Sequence, residues 1–155
     1  MRRFSKLKKR IESLFAPDLD LKVYCTVSSY NTTHWAWDNP RFWIVLNDEV
    51  IFDWLKDFKD VRFPDPVYRG GRPVFYSNIM YVNNMIEEYI DTPTNKLFDH
   101  VLHEDCYGLS DILKAADRRI GKQRLIFMRD RTGNESAKKI IDMRLSNKNT
   151  EVNSI

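Results

Sequence analysis

Three groups of side chains in this 155-residue chain have types and spacings that can do chemistry. The first is His100-Val101-Leu102-His103-Glu104-Asp105-Cys106. On a helix, His100 and His103 share a face with Asp99 close by. Two imidazoles with carboxylates are zinc-type ligands. The order is neither H-E-x-x-H nor H-x-x-E-H, so ordinary solvent-facing histidines are favoured, and no resident metal is expected. The second is Asp117-Arg118-Arg119-Ile120-Gly121-Lys122-Gln123-Arg124. Arg118, Arg119, Lys122 and Arg124 suit phosphate oxygens. The same cations also complement the negative end of a helix closed by a left-handed Gly121, and this structural use carries more weight. The third is the pair Trp35 and Trp37 in a loop with His34, Asp38 and Asn39. Partly exposed tryptophans anchor protein interfaces or stack on bases. The competing outcome, a loop that folds back to extend the sheet, is weighted about equally.

The catalytic signatures that short motifs can carry are missing. Arg69-Gly70-Gly71-Arg72 is too short for a phosphate loop, and no G-x-S-x-G occurs. Asp48-Glu49 and Glu87-Glu88 are adjacent pairs whose members do not face each other. Cys25 and Cys106 form no C-x-x-C pair and are expected as free thiols, with Cys25 a small buried hydrophobe. No cofactor and no small-molecule ligand is implied.

Charge is sorted along the chain. Residues 1–10 carry six basic groups and no acid, and residues 114–131 carry seven against Asp117 and Asp130. Residues 11–113 hold 17 acids and 8 bases, so a net charge of +3 conceals an acidic middle between basic ends. Steering depends on where charge sits. The basic face of the first helix has its place either in solvent or against that acidic middle. No apolar run approaches the roughly 18–20 residues of a bilayer span, and no signal-type segment follows the basic start. A cytoplasmic protein without membrane contact is the expectation.

The elements that would position these groups follow from periodicity. Phe4, Leu7, Ile11, Leu14 and Phe15 mark a helix over residues 3–15, stopped by Pro17. Residues 21–27, 42–46 and 50–54 read as strands, with a loop at Asp38-Asn39-Pro40 and a tight turn at Asn47-Asp48. One short strand is expected near Val74-Phe75. Ser77 caps a helix burying Ile79, Val82, Ile86, Tyr89 and Ile90. Thr92-Pro93 opens another that buries Leu97, Phe98, Val101 and Leu102. Ser110 caps a helix to Gly121, residues 122–131 form a shorter one, and Asn134 caps the last. Helices at 111–120, 122–131 and 135–145 also allow a helix-turn-helix presenting Ser136, Lys138, Lys139 and Arg144. Any compact helical half has such turns. Strands first and helices later predict an α+β domain over residues 1–145: a small antiparallel sheet of three to four strands, an N-terminal helix packed on it, and a helical C-terminal half. Residues 146–155 are expected as a polar, disordered tail.

Glu88-Tyr89-Ile90-Asp91-Thr92-Pro93, Leu97-Phe98, the stretch Gly108 to Lys122, and Phe4 to Leu19 together resemble a small family of uncharacterised, conserved bacterial cytoplasmic proteins. Tyr107 stands where that family's pattern has tryptophan. The resemblance implies a bacterial cytosolic origin and brings no catalytic residues. On the residues alone, the first expectation is a non-catalytic binding or adaptor protein working through protein partners. The alternatives are a nucleic-acid-binding protein using the 114–131 segment and a metal-dependent enzyme centred on His100 and His103.

Overall fold

The computed structural model describes residues 3–31, 36–53, 67–69, 72–74, 79–103 and 108–153. In chain order these form α1 (Phe4–Leu14), β1 (Leu21–Asn31), β2 (Ala36–Leu46), β3 (Glu49–Asp53), the hairpin strands β4 (Val67–Arg69) and β5 (Arg72–Val74), then α2 (Ile79–Asp91), α3 (Thr94–Leu97), α4 (Leu109–Ala116), α5 (Lys122–Arg131) and α6 (Glu135–Asn153). The fold is α+β.

β1, β2 and β3 make an antiparallel sheet in that order. Leu21 and Val23 of β1 and Phe42, Ile44 and Leu46 of β2 are buried, as the two-residue period of a half-buried strand requires. Asn47 and Asp48 have φ of 49° and 64°. This is the left-handed pair that lets a two-residue turn match strand twist. The loop expected at 38–40 is instead strand. β2 runs from Ala36, with Pro40 opposite Val27 and Trp37 opposite Tyr30. β3 meets β2 only between Trp43 and Leu46. At Pro40, β2 therefore has no described neighbour on its second side, a setting in which a sheet tolerates proline.

Helices contact both outer strands of this sheet. Glu12 of α1 accepts the Val23 N–H at 3.0 Å, and Lys8 donates to the Val23 carbonyl. These two side chains, themselves an ion pair at 2.7 Å, satisfy both backbone groups of Val23 on the open side of β1. On the far side, Ser136 of α6 donates to the Ile51 carbonyl of β3 at 2.8 Å, and Lys139 pairs with Glu49 at 2.8 Å.

The helical half departs from expectation at several ends. α3 stops at Leu97 and residues 100–102 are not helical, so Val101 is 66% exposed rather than buried. α4 begins after Gly108, whose φ is +78°, and Ser110 lies inside it, buried, rather than capping it. Gly121 is not a left-handed cap either. Its φ is −80° and it precedes α5. Asn134 does cap α6, its side-chain oxygen accepting the Ala137 N–H at 2.9 Å. α6 continues past Leu145 to Asn153, and Asn147 donates to Asp18 at 2.8 Å. The core lies between sheet and helices. Leu7 and Ile11, the inward strand residues, Ile86 and Tyr89, Ile112 and Leu113, and Ile140 and Ile141 meet there. Among the described residues no helix is long and apolar enough to cross a membrane.

Candidate binding surface

The conspicuous sequence cluster at 117–124 divides into a buried half and an exposed half. α4 ends at Ala116, and the chain turns extended at Asp117, which bridges to Phe15. Ala16 donates to the Ala116 carbonyl and Arg118 N–H to the Leu14 carbonyl, both at 2.8 Å. Asp117 is fully buried. Its carboxylate accepts the Tyr89 hydroxyl at 2.8 Å, the Arg119 N–H at 2.8 Å and the Arg119 guanidinium at 2.8 and 3.0 Å. Burial first, and the Asp117 charge second, push the Tyr89 phenol well above its ordinary range. The hydrogen bond that Arg119 donates to Asp117 raises the Arg119 pKa in turn. Arg144 of α6 lies beside this cluster, 2% exposed. It donates to the carbonyls of Ala115 (2.8 Å), Asp117 (3.0 Å) and Ile120 (3.0 Å), closing the end of α4. Its burial lowers its pKa from the usual arginine value.

Arg119 is thus engaged with Asp117, while Arg118, Lys122 and Arg124 are exposed. The helix-turn-helix face does not form. Arg144 points into the core, Ser136 and Lys139 are engaged with β3, and Lys138 is within 3.4 Å of Glu135. His100 and His103 are not side by side on a helix. Both gather on Glu88, the His100 ring at 2.8 Å and the His103 backbone N–H at 3.0 Å. Among the described residues no group of three or more His, Cys, Asp or Glu is placed to hold a metal ion. Trp35 lies outside the described residues. Trp37 is placed in β2 by its backbone, and its side chain lies outside the description.

What sequence spacing missed lies on α5. Leu125-Ile126-Phe127-Met128 are four consecutive apolar residues, and a helix turns successive side chains by about 100°. Leu125 and Met128 are buried, while Ile126 is exposed and Phe127 is 48% exposed. Arg131 lies over the Phe127 ring, 3.4 Å from its centroid, and donates to the Phe127 carbonyl at 3.1 Å. Phe98 meets Phe127 edge to face at 5.9 Å, and Arg124 lies 5.3 Å from the centre of the Phe98 ring. The result is an Arg124–Phe98–Phe127–Arg131 ladder in which Phe98 is half-buried and the other three are exposed. Phe98 is held in it by Lys114, a buried lysine that donates to the Phe98 carbonyl at 2.8 Å. Glu88 fastens the same segment further on, at His100 and His103. Val101, Ile126 and Phe127 are three of the four exposed large hydrophobic residues among those described. The run of four apolar residues was the available signal, since no single helix face can bury all of them.

A depression of about 520 Å³ runs between α5 and α6. Its cations are paired: Arg129 with Asp142, Lys138 with Glu135, and Lys139 with Glu49. It is an ion-pair lattice rather than an anion site.

Residues 3–68 match the model of the SF0329 protein family. The SF0329 match takes in α1, the three-stranded sheet and most of β4. It ends before Glu88–Lys122 and before α5. No curated protein and no solved structure matches the chain.

Proposed function

We propose that this chain is a non-catalytic binding protein of the bacterial cytoplasm that works through a protein partner, with the α5–Phe98 surface as its contact. The cytoplasmic and bacterial parts rest on the sequence resemblance. The contact rests on one observation: exposed Phe127, with exposed Ile126 next to it on α5, lies between two arginines set over aromatic rings, Arg131 over Phe127 itself and Arg124 over its neighbour Phe98. Aromatic and arginine side chains are the types that dominate protein hot spots. Monomeric surfaces scatter exposed hydrophobic residues singly rather than collecting them.

A photoreactive benzoylphenylalanine at position 127, irradiated in cells, tests this reading. Protein adducts from position 127 and none from exposed position 13 on α1 are expected. Absence of any protein adduct at 127 would remove it. The ladder also supports a second reading, nucleic-acid binding, because exposed arginines beside aromatic rings suit phosphates and bases. Oligonucleotide anisotropy at about 50 and 200 mM salt separates the two, since phosphate contacts weaken steeply over that range.

A further inference from the structure

We infer that the occupant of the α5 surface is an acidic amphipathic helix, an inference that rests on the binding reading above. Arg124, Phe127 and Arg131 stand at positions i, i+3 and i+7 of α5. They form one seam, with the arginines about 10.5 Å apart along the axis. Each guanidinium lies over a ring, its central carbon 3.4 Å from the ring centre for Arg131 and Phe127 and 5.3 Å for Arg124 and Phe98. Arg131 gives one N–H to the Phe127 carbonyl, and a guanidinium over a ring keeps its other donors at its edge, where a carboxylate accepts them.

Geometry selects a helix over a strand. A helix lying along α5 has the same rise per residue. Carboxylates seven residues apart then fall opposite Arg124 and Arg131, and an apolar residue three or four positions after the first falls opposite Phe127. In an extended chain, a spacing near 10 Å corresponds to three residues, which point to opposite faces. Charge selects a protein over a nucleic acid. Asp130 is i+3 from Phe127 and i+4 from Ile126, and exposed Asp99 adjoins Phe98 in the chain. Two acids beside the aromatic centre repel a continuous phosphate backbone but leave room for discrete carboxylates at the arginines.

The test uses the full chain and labelled synthetic helical peptides. They carry Glu at two positions seven residues apart with Leu three and four positions after the first, and matched peptides carry Gln or Lys in place of Glu. The Glu peptide is expected to bind, and the Gln peptide about tenfold more weakly, equivalent to about 1.4 kcal/mol. An Arg124→Glu/Arg131→Glu double variant should lose the Glu peptide and gain the Lys peptide, a gain that a misfolded variant would not show. Equal binding of Glu and Gln peptides would overturn the acidic helix and leave the binding reading intact. So would failure of every peptide alongside a protein adduct at position 127, whereas failure of both would remove both. A single-stranded oligonucleotide that displaces the Glu peptide at about 50 mM salt would overturn the inference in favour of nucleic acid.

Discussion

Replacing Arg144 by methionine should be among the most damaging single changes in the helical half. The side chain is 2% exposed and its guanidinium bonds three carbonyls, those of Ala115, Asp117 and Ile120. The Asp117 carbonyl also accepts the Ile120 N–H at 3.0 Å and keeps that bond in the variant. The Ala115 and Ile120 carbonyls lose their Arg144 donors. A buried acceptor without a donor costs about 1–3 kcal/mol, so two cost about 2–6 kcal/mol. Against this, methionine removes a buried charge whose desolvation already lowers the Arg144 pKa, and it fills much of the same space. It also removes the Arg144 Nε, which is buried with no hydrogen-bond acceptor among the described residues. The net expectation is a loss of about 3 kcal/mol, or about 6–12 °C in Tm for a chain of this size. Arg144→Lys should fall between, since an ammonium keeps the charge but not the planar fork. Urea unfolding followed by tryptophan fluorescence measures both. A methionine variant within about 0.5 kcal/mol of the parent would refute the idea that this guanidinium closes α4.

Gly108→Ala should cost about 1–2 kcal/mol, because φ is +78° and the new Cβ would lie 2.6 Å from the Asn134 side-chain nitrogen; thermal melts would show it. Tyr89 should stay neutral when ordinary tyrosines ionise near pH 10, since its folded pKa is raised. Its contribution is then complete below the unfolded value and lost as pH rises beyond it, so Tyr89→Phe should flatten the alkaline fall in stability while leaving the ultraviolet titration near pH 10 unchanged. The Cys25 thiol, pushed by burial to about 11, should alkylate far more slowly at pH 8 than a free thiol does; rapid labelling in a Cys106→Ser background would contradict the packing of β1.

Periodicity made α1, the sheet and the Asn47-Asp48 turn legible because local signals and burial agreed there. Leu7 and Ile11, and Val23 with Phe42 and Ile44, are all inside as their spacing demands. It failed at 38–40, where proline and asparagine signal a loop but pairing with β1 wins. It failed again at Val101, where an apolar residue at helical spacing follows a helix that ends at Leu97. The basic cluster was visible as composition. Its division into Arg119 on a buried carboxylate and Arg118, Lys122 and Arg124 at the surface depends on Asp117 leaving the helix to pair with Phe15, a tertiary event with no local signature. Likewise the ladder needs Phe98 from one helix end to meet α5, and only the fold brings them together.

The two helices that touch the outer strands become available at different times in the life of the molecule. Glu12 and Lys8 precede Val23 in the chain, so the β1 side has its cover as soon as it is made. The β3 side waits for Ser136, 85 positions after Ile51. At about 5–20 residues per second of synthesis, that interval is about 4 to 17 s. During it, β3 lacks the contacts that Ser136 and Lys139 make with Ile51 and Glu49. A chain cut short before α6 is therefore expected to keep the contacts on the β1 side and to lack those on the β3 side.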